Sequence, residues 1–172
     1  MSRKNELSRI KNQIFTCKKC RLSKTRQHAV PGEGPLNAKI MLIGQGPGRE
    51  EDKQGRPFAG KAGKFLNELL QKNGIDRKEV FITSCVKCYL PKNRAPKKDE
   101  LEACRPYVLR QIQLINPEIV VLMGNVAHGL AEHTGKRVML KTPHPAAGMR
   151  FPKQRIKIFR EFGKITRFIK QK

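Results

Sequence analysis

Five cysteines are the residues of this 172-residue chain with the most recognisable chemistry: Cys17, Cys20, Cys85, Cys88 and Cys104. The first two form a CxxC pair, a spacing that lets two thiolates reach one metal centre from a single turn. A redox dithiol would be expected between a strand and a helix, whereas this pair follows a short helical segment and leads into a loop. Four thiolates binding zinc or an iron–sulfur cluster is therefore favoured over buried or free thiols, and one cysteine is surplus.

A second group of chemically able side chains lies in GQGPGREEDKQGRPFAG, residues 44–60. The dinucleotide fingerprint G-x-G-x-x-G is not matched, because Gly44, Gly46 and Gly48 give G-x-G-x-G. The three carboxylates that follow would repel a pyrophosphate, and the chain contains no GKS or GKT. These residues therefore argue against a nucleotide-binding loop.

His144 is the histidine with the most distinctive surroundings, because it lies between two prolines in PHPAAGMR, residues 143–150. Proline restrains the backbone on both sides, and a positioned imidazole can stabilise negative charge on a leaving group. His28, His128 and His133 match no pattern, so structural or surface roles are expected for them.

Charge is the strongest compositional property, since 37 Lys and Arg against 14 Asp and Glu leave a net charge of +23. A polyanionic partner is expected, with a generally basic, thermophile-like surface as the alternative. Nucleic acid is favoured over membrane, because the basic residues are spread along the chain and no apolar run approaches the ~18 residues of a membrane span. The first residues, MSRKNELSRIKNQ, lack the apolar segment of a secretory signal, so an intracellular location is expected.

Apolar periodicity predicts the elements that must position these residues. Strands are expected at 38–44, 79–83, 118–124 and 137–142, and helices at 61–74, 101–115 and the basic C-terminal segment. The alternation predicts a single three-layer α/β/α domain spanning residues 1–172, with a mostly parallel sheet of about four strands. Sites in such sheets lie at the carboxyl ends of strands, so the segments 45–52, 84–88 and 143–150 should share one edge.

Taken together, the motifs resemble family 4 of the uracil-DNA glycosylases, the iron–sulfur type. The similarity covers nearly the whole chain. It comprises, in order, the CxxC pair, GQGPGREED at 44–52, GRPFAGKAG at 55–63, ITSCVKC at 82–88, CRPY at 104–107 and HPAAGMR at 144–150. Several separate motifs in one order are more specific than any of them alone. The resemblance implies a hydrolase of base excision repair that flips uracil out of DNA and cleaves its glycosidic bond, leaving an abasic site.

The resemblance also implies roles for individual residues in the pocket. The flipped base is expected to meet Gly44, Gly46, Pro47, Ser84 and Phe58, with Phe58 stacking on it unless that residue is simply a core phenylalanine. His144 is expected to contact the oxygen that carries the leaving charge. Gln45, Glu51 and Asp52 complete the expected catalytic group, the acids by orienting water or stabilising an oxocarbenium-like sugar. Glu50 could be a solvated surface acid.

DNA and metal contacts are implied in the same way. Met149 occupies the wedge position that enters the space left by the flipped nucleotide. Arg150, Lys153 and Arg155 are expected to bind phosphates, although a solvated basic helix is the alternative. The expected ligands of a [4Fe-4S] cluster, or of zinc as the alternative, are Cys17, Cys20, Cys88 and Cys104, which leaves Cys85 without a role. The cluster is expected to support a loop near DNA.

Some positions depart from the family pattern. Gln45 stands where the family usually has Glu, Ser84 stands where it has the Asn that contacts uracil, and the segment between Gly124 and His144 is shorter than usual.

DNA containing a damaged base is the expected partner, with uracil the first substrate and the range left open. We expect ordinary turnover by a monomer in a prokaryotic cytoplasm, associated with the nucleoid when bound. The competing hypothesis is a non-catalytic iron–sulfur or zinc protein of the same fold that binds nucleic acid.

Overall fold

Strands and helices alternate through most of the chain, which a computed structural model describes over residues 2–170. The strands are β1 Ile40–Gly44, β2 Val80–Ser84, β3 Ile119–Met123 and β4 Val138–Thr142. The helices are α1 Arg3–Phe15, α2 Arg49–Gln54, α3 Lys61–Lys72, α4 Lys98–Ile115, α5 Asn125–His128, α6 Pro145–Arg150 and α7 Pro152–Lys170. The predicted strands and main helices are confirmed, with β2 displaced by one residue.

Within residues 2–170 the sheet has four strands, all parallel, in the order β2-β1-β3-β4. The first three strands are buried along their whole length, which explains why each is a continuous apolar run rather than an alternating one. In the pairing of β1 with β2, Gly44 lies opposite Ser84. The carboxyl ends of these two neighbouring strands therefore lie side by side.

Helices cover both faces of the sheet. On one face, Phe65 and Leu69 of α3 and Phe162 of α7 pack in the larger hydrophobic cluster. On the other face, Leu7 of α1 and Val108 of α4 pack in a second cluster. This arrangement confirms the expected three-layer α/β/α class, while the assignment of residues 1–172 to a single domain stays a prediction.

Helices α3 and α4 end at residue types that commonly terminate helices. The chain leaves α3 through Gly74, which has φ +65°, and α4 ends at Asn116, with φ +50°, directly before Pro117. Both positions use the left-handed conformation that commonly terminates helices. Within residues 2–170, every helix is too short or too polar to cross a membrane.

Candidate active site

The loops that follow β1 and β2 run together at the carboxyl edge of the sheet. The backbone N–H of Cys85 donates to the carbonyl of Gly44 at 3.0 Å, and that of Val86 donates to Gln45 at 3.1 Å. Farther along, Leu90 donates to Pro47 at 3.3 Å. These bonds fix the two loops against each other, so residues 44–47 and 84–90 form one side of the candidate site.

Gly44 lies under two aromatic rings from distant parts of the chain. A Cβ atom at this glycine would lie 2.8 Å from Cζ of Phe58 and 3.6 Å from Nε2 of His144. The rings of Phe58 and His144 are stacked, with centroids 5.6 Å apart and an angle of 24° between their planes. Because Gly44 and Ser84 are paired on adjacent strands, their Cα–Cβ directions share a face of the sheet. Four residues expected at the base are therefore brought to one place.

Phe58 has an unusual backbone conformation, with φ +49°. Bulky residues rarely adopt positive φ, so the surrounding chain must hold this one in place. Gly63 permits the close approach of this backbone, because a Cβ atom there would lie 1.7 Å from the carbonyl oxygen of Phe58. The half-buried ring packs at the edge of the larger hydrophobic cluster, which lets it contact the core and the site together.

His144 caps the N-terminus of α6 and is held in one tautomer by that contact. Its Nδ1 accepts a hydrogen bond from the backbone N–H of Ala146 at 3.2 Å. Burial lowers the pKa of His144 from 6.5 to about 4, and the negative charge of Glu51 opposes this only in part. The imidazole is therefore neutral near pH 7, with its proton on Nε2. Of the atoms of this ring, Nε2 lies nearest to the Cβ position of Gly44.

The two acids expected to be catalytic both bind main-chain amides. Glu51 accepts hydrogen bonds from the N–H of Gly48 at 3.1 Å and from that of Gly60 at 2.9 Å. It thereby joins the loop after β1 to the loop that carries Phe58. Asp52 is buried, and its carboxylate accepts from the N–H groups of Gln27 at 2.9 Å and His28 at 3.3 Å. These contacts depend on folding and could not be identified from the sequence motif.

The residues that depart from the family pattern also have partners. The side-chain amide of Gln45 donates to the carbonyl of Arg94 at 3.2 Å. The hydroxyl of Ser84 donates to the carbonyl of Val86 at 2.8 Å, which leaves its oxygen lone pairs as acceptors. A Cβ atom at Gly46 would lie 2.4 Å from Cγ2 of Val86 in the loop after β2. Gly46 therefore permits close packing of the two loops.

The five cysteines pack in three different hydrophobic clusters. Cys20, Cys88 and Cys104 pack around a small apolar cluster beside the loop after β2. Cys17 packs against a neighbouring cluster that contains Ile14 and Tyr107. Cys85 instead packs in the cluster between the sheet and α4. The structure thus brings Cys20, Cys88 and Cys104 together, whereas Cys17 and Cys85 each pack in another cluster.

The thiol group is electrostatically suited to a metal but is not preformed around one. A guanidinium N–H of Arg26 donates to the sulfur of Cys88 at 3.0 Å, a contact that favours a thiolate. Burial raises the pKa of Cys88 and raises that of Cys104 to about 11, so the metal-free thiols are protonated near pH 7. Over residues 2–170, no three ligand-type side chains converge as a metal site. The donor chemistry therefore fits a soft metal centre, while the coordination shell is not fixed.

The basic residues expected to bind DNA follow His144 on α6 and α7. Met149, Arg150, Lys153 and Arg155 are all exposed. The guanidinium of Arg155 lies over the ring of Phe65, 4.9 Å from its centroid. A cation and an exposed apolar side chain thus follow His144 along α6 and α7.

Comparison with known proteins is decisive at this point. Residues 31–168 match the uracil DNA glycosylase superfamily. The chain belongs to this superfamily. It is similar to the type-4 uracil-DNA glycosylase of Sulfurisphaera tokodaii, with 50% identity over 70% of this chain and 55% of that protein. The type-4 enzymes of Pyrobaculum aerophilum and Thermotoga maritima are 44% and 45% identical, over 77% and 69% of this chain and 68% and 62% of their own lengths.

The expected resemblance to the type-4 glycosylases is thereby confirmed. The chain spans only about half the length of the Sulfurisphaera relative, since 55% of that protein is covered. The matched region, 31–168, includes the rings at Gly44 and the loops after β1 and β2. It begins after the CxxC pair, so the N-terminal thiols lie outside the match.

One contact network in this superfamily member had no counterpart in the sequence motifs. Lys87 is 1% exposed, and its ammonium donates to the carbonyl of Ser84 and the amide oxygen of Gln111, both at 2.8 Å, as well as to the hydroxyl of Thr83. Gln111 in turn donates to the carbonyl of Pro31. The only sequence signal is a lysine placed between apolar and cysteine residues in ITSCVKC. Through the bond to Ser84, the network fixes the backbone at the end of β2.

Proposed function

We propose that this protein is a DNA glycosylase of base excision repair that hydrolyses the N-glycosidic bond of a deaminated base, uracil first, and leaves an abasic site. The observation that carries the proposal is the stacked pair of Phe58 and His144 over Gly44, in a chain of the uracil DNA glycosylase superfamily. An extruded base needs a flat face and a donor for its oxygen, and this arrangement offers both.

Phe58 would bind the base, and His144 would assist cleavage of the glycosidic bond. The base would stack on Phe58, a contact typically worth ~1–3 kcal/mol per base. The Nε2–H of His144 would donate to the uracil oxygen that becomes negatively charged as the bond breaks. A neutral donor held in advance by the contact with Ala146 is suited to this task, because little reorganisation is needed when the charge develops.

The remaining polar residues would act around this pair. The negative charge of Glu51 lies near enough to His144 to influence its pKa, so it could also stabilise positive charge on the sugar. Asp52 would hold the N-terminal segment in place through its amide contacts, and Gln45 would hold the loop that carries Arg94. We therefore assign electrostatic stabilisation of the sugar to Glu51.

DNA would bind along the exposed basic surface beyond α6. Met149 would enter the duplex at the vacated position, and Arg150, Lys153 and Arg155 would neutralise phosphates. Phosphate contacts of this kind position the protein without selecting a base. Selection is then left to the pocket at Gly44 and Ser84. A protein that acts on chromosomal DNA would work in the cytoplasm, and a monomer would suffice.

Cys17, Cys20, Cys88 and Cys104 would hold a [4Fe-4S] cluster, with zinc as the alternative. Support comes from the shared packing of Cys20, Cys88 and Cys104 and from the guanidinium donor at Cys88. When bound, the cluster would supply a structural cross-link, because hydrolysis of a glycosidic bond requires no electron transfer. The link would join the N-terminal segment, the loop after β2 and α4, which brings the cluster close to the pocket without placing it in the reaction.

A panel of damaged DNAs tests the function. Duplexes carrying uracil, hypoxanthine, xanthine or thymine opposite each normal base are incubated with excess protein, and alkaline cleavage then reveals abasic sites. Cleavage at uracil is expected, and Phe58→Ala should lower it on the order of 10- to 100-fold. Phe15→Ala, an exposed phenylalanine on α1, is the matched control. Tight binding without cleavage of any of these bases would instead support the non-catalytic alternative.

A further inference from the structure

The loop that carries Phe58 depends on support from other parts of the chain. Phe58 has φ +49°, and bulky residues keep such a conformation only where surrounding contacts determine it. Gly63 allows the close approach of the Phe58 carbonyl but does not hold it. Glu51 binds the loop at Gly60, two residues farther on. The contact that holds the backbone of Phe58 itself must come from elsewhere.

Arg77 provides that contact. It lies in the short 3₁₀ turn Arg77–Glu79 that precedes β2. Its Nη2 donates to the carbonyl of Pro57 at 2.7 Å, and its Nη1 lies 3.4 Å from the carbonyl of Phe58. Its Nη1 also donates to the side-chain oxygen of Asn67 on α3 at 2.7 Å. One guanidinium therefore joins the Phe58 loop to two other elements.

The guanidinium is itself anchored to the sheet through Glu33. Arg77 pairs with the carboxylate of Glu33 at 3.2 Å, and its side chain is 22% exposed. Glu33 exchanges two backbone hydrogen bonds with Ile82 of β2, at 2.8 and 2.9 Å. The planar fork of arginine can make these several contacts together, whereas the single ammonium of lysine cannot. Arg77 and Glu33 thus connect the backbone of Phe58 to the central sheet.

We propose that Arg77 is a positioning residue for base recognition, because it holds the main chain of Pro57 and Phe58 so that the Phe58 ring lies over Gly44. The inference rests on the proposed function, in which the flipped base stacks on Phe58. Arg77 acts through Phe58 and touches neither the base nor the reacting bond. Its loss therefore affects the reaction to the extent that Phe58 is displaced.

Arg56 offers a matched control for the same pair of charges. It binds the same carboxylate of Glu33, at 3.0 and 3.1 Å, but makes no hydrogen bond to Pro57 or Phe58. Arg56→Met therefore removes one positive charge and one ion pair without removing the support of the loop. Arg77→Met removes one positive charge and one ion pair as well, and it also removes the support of the loop.

Single-turnover cleavage of uracil-containing DNA at saturating protein separates the chemical step from DNA affinity. Arg77→Met should lower the maximal rate roughly 10- to 100-fold, because a displaced contact group can cost that much. Arg56→Met should stay within about twofold of wild type, as for other exposed substitutions. Arg77→Lys should give an intermediate loss, and it replaces Arg77→Met if that variant loses its melting transition. Equal rates for the Arg77 and Arg56 variants would overturn the inference.

A double-mutant cycle shows whether the effect passes through Phe58. In a Phe58→Ala background, Arg77→Met should cost no more than about twofold further, since the ring it positions is absent. A full additional loss in that background would mean that Arg77 acts by another route, and the inference would be wrong.

Hydrogen exchange of the segment 55–63 provides a readout that does not depend on catalysis. Amides of this segment should exchange faster in Arg77→Met than in wild type, while Arg56→Met leaves them unchanged. If wild-type protein cleaves no base, the proposed function fails, but exchange still decides the role of Arg77. Unchanged exchange in Arg77→Met would refute the positioning role whatever the activity.

Discussion

Replacing His144 is the most direct perturbation of the proposed mechanism. In the proposed mechanism the ring would donate through Nε2 in a half-buried site, with Nδ1 held by Ala146 at 3.2 Å. Loss of one preorganised donor at a developing negative charge typically lowers the rate about 100- to 1,000-fold, or ~2.7–4 kcal/mol. We expect a loss of this size in the maximal single-turnover rate for His144→Ala on DNA with one uracil.

The contribution to stability must be separated from the contribution to the rate, because His144 also caps α6. Loss of an N-cap costs typically ~1 kcal/mol, and serine is a good replacement at that position. His144→Ser should therefore melt close to wild type while being about as slow as His144→Ala. His133→Ala, an exposed histidine outside the site, is the control and should keep the wild-type rate.

The dependence on pH tests which form of the ring is active. The pKa of His144 is lowered from 6.5 to about 4, so the neutral donor persists as the pH falls through the range where an exposed histidine is protonated. The rate should therefore show no loss attributable to His144 near pH 6.5 and should fall only as the pH approaches about 4. A rate that rises as the pH falls through 6.5, or His144→Ala within threefold of wild type, would refute the neutral-donor mechanism.

Two further predictions concern the metal and the range of bases. Protein purified without oxygen should be brown and contain iron, and Cys85→Ala should retain that iron whereas Cys88→Ala should lose it. Colourless protein with one bound zinc would contradict the cluster. Ser84→Asn should raise the preference for uracil over hypoxanthine in competition, because the Ser84 hydroxyl already donates to Val86 and offers the base only an acceptor, whereas an amide offers both. Unchanged selectivity would show that this position does not set the range.

The sequence was sufficient to predict the fold and the edge of the sheet at which Ser84 and His144 lie. Buried parallel strands are continuous apolar runs, so each could be located, and their common direction placed Ser84 and His144 at one edge. Phe58 was expected in the pocket only from the family resemblance. The contacts of Glu51 with two glycine amides could not be predicted, because they depend on how loops distant in the chain approach each other. The close packing of Gly46 against Val86 could likewise not be predicted from the motif.

The role of Arg77 could not be predicted from the sequence for a related reason. In a chain with 37 Lys and Arg, one basic residue in a short turn carries no visible distinction from those that bind phosphate or face solvent. Its importance arises from two backbone carbonyls and Glu33, which only the folded chain brings together. Motifs report side chains that contact substrate more readily than those that hold such side chains in place.

The buried Lys87 has a consequence for how this protein can diverge. Its ammonium binds the carbonyl of Ser84, and the next residue along the chain is Cys88. A change that remodels the pocket at Ser84 therefore acts on the same few peptide units that carry Cys88, one of the proposed cluster ligands. Altered base preference and altered metal retention are expected to arise together among relatives, so new specificities should be accompanied by compensating substitutions at Thr83, Lys87 or Gln111.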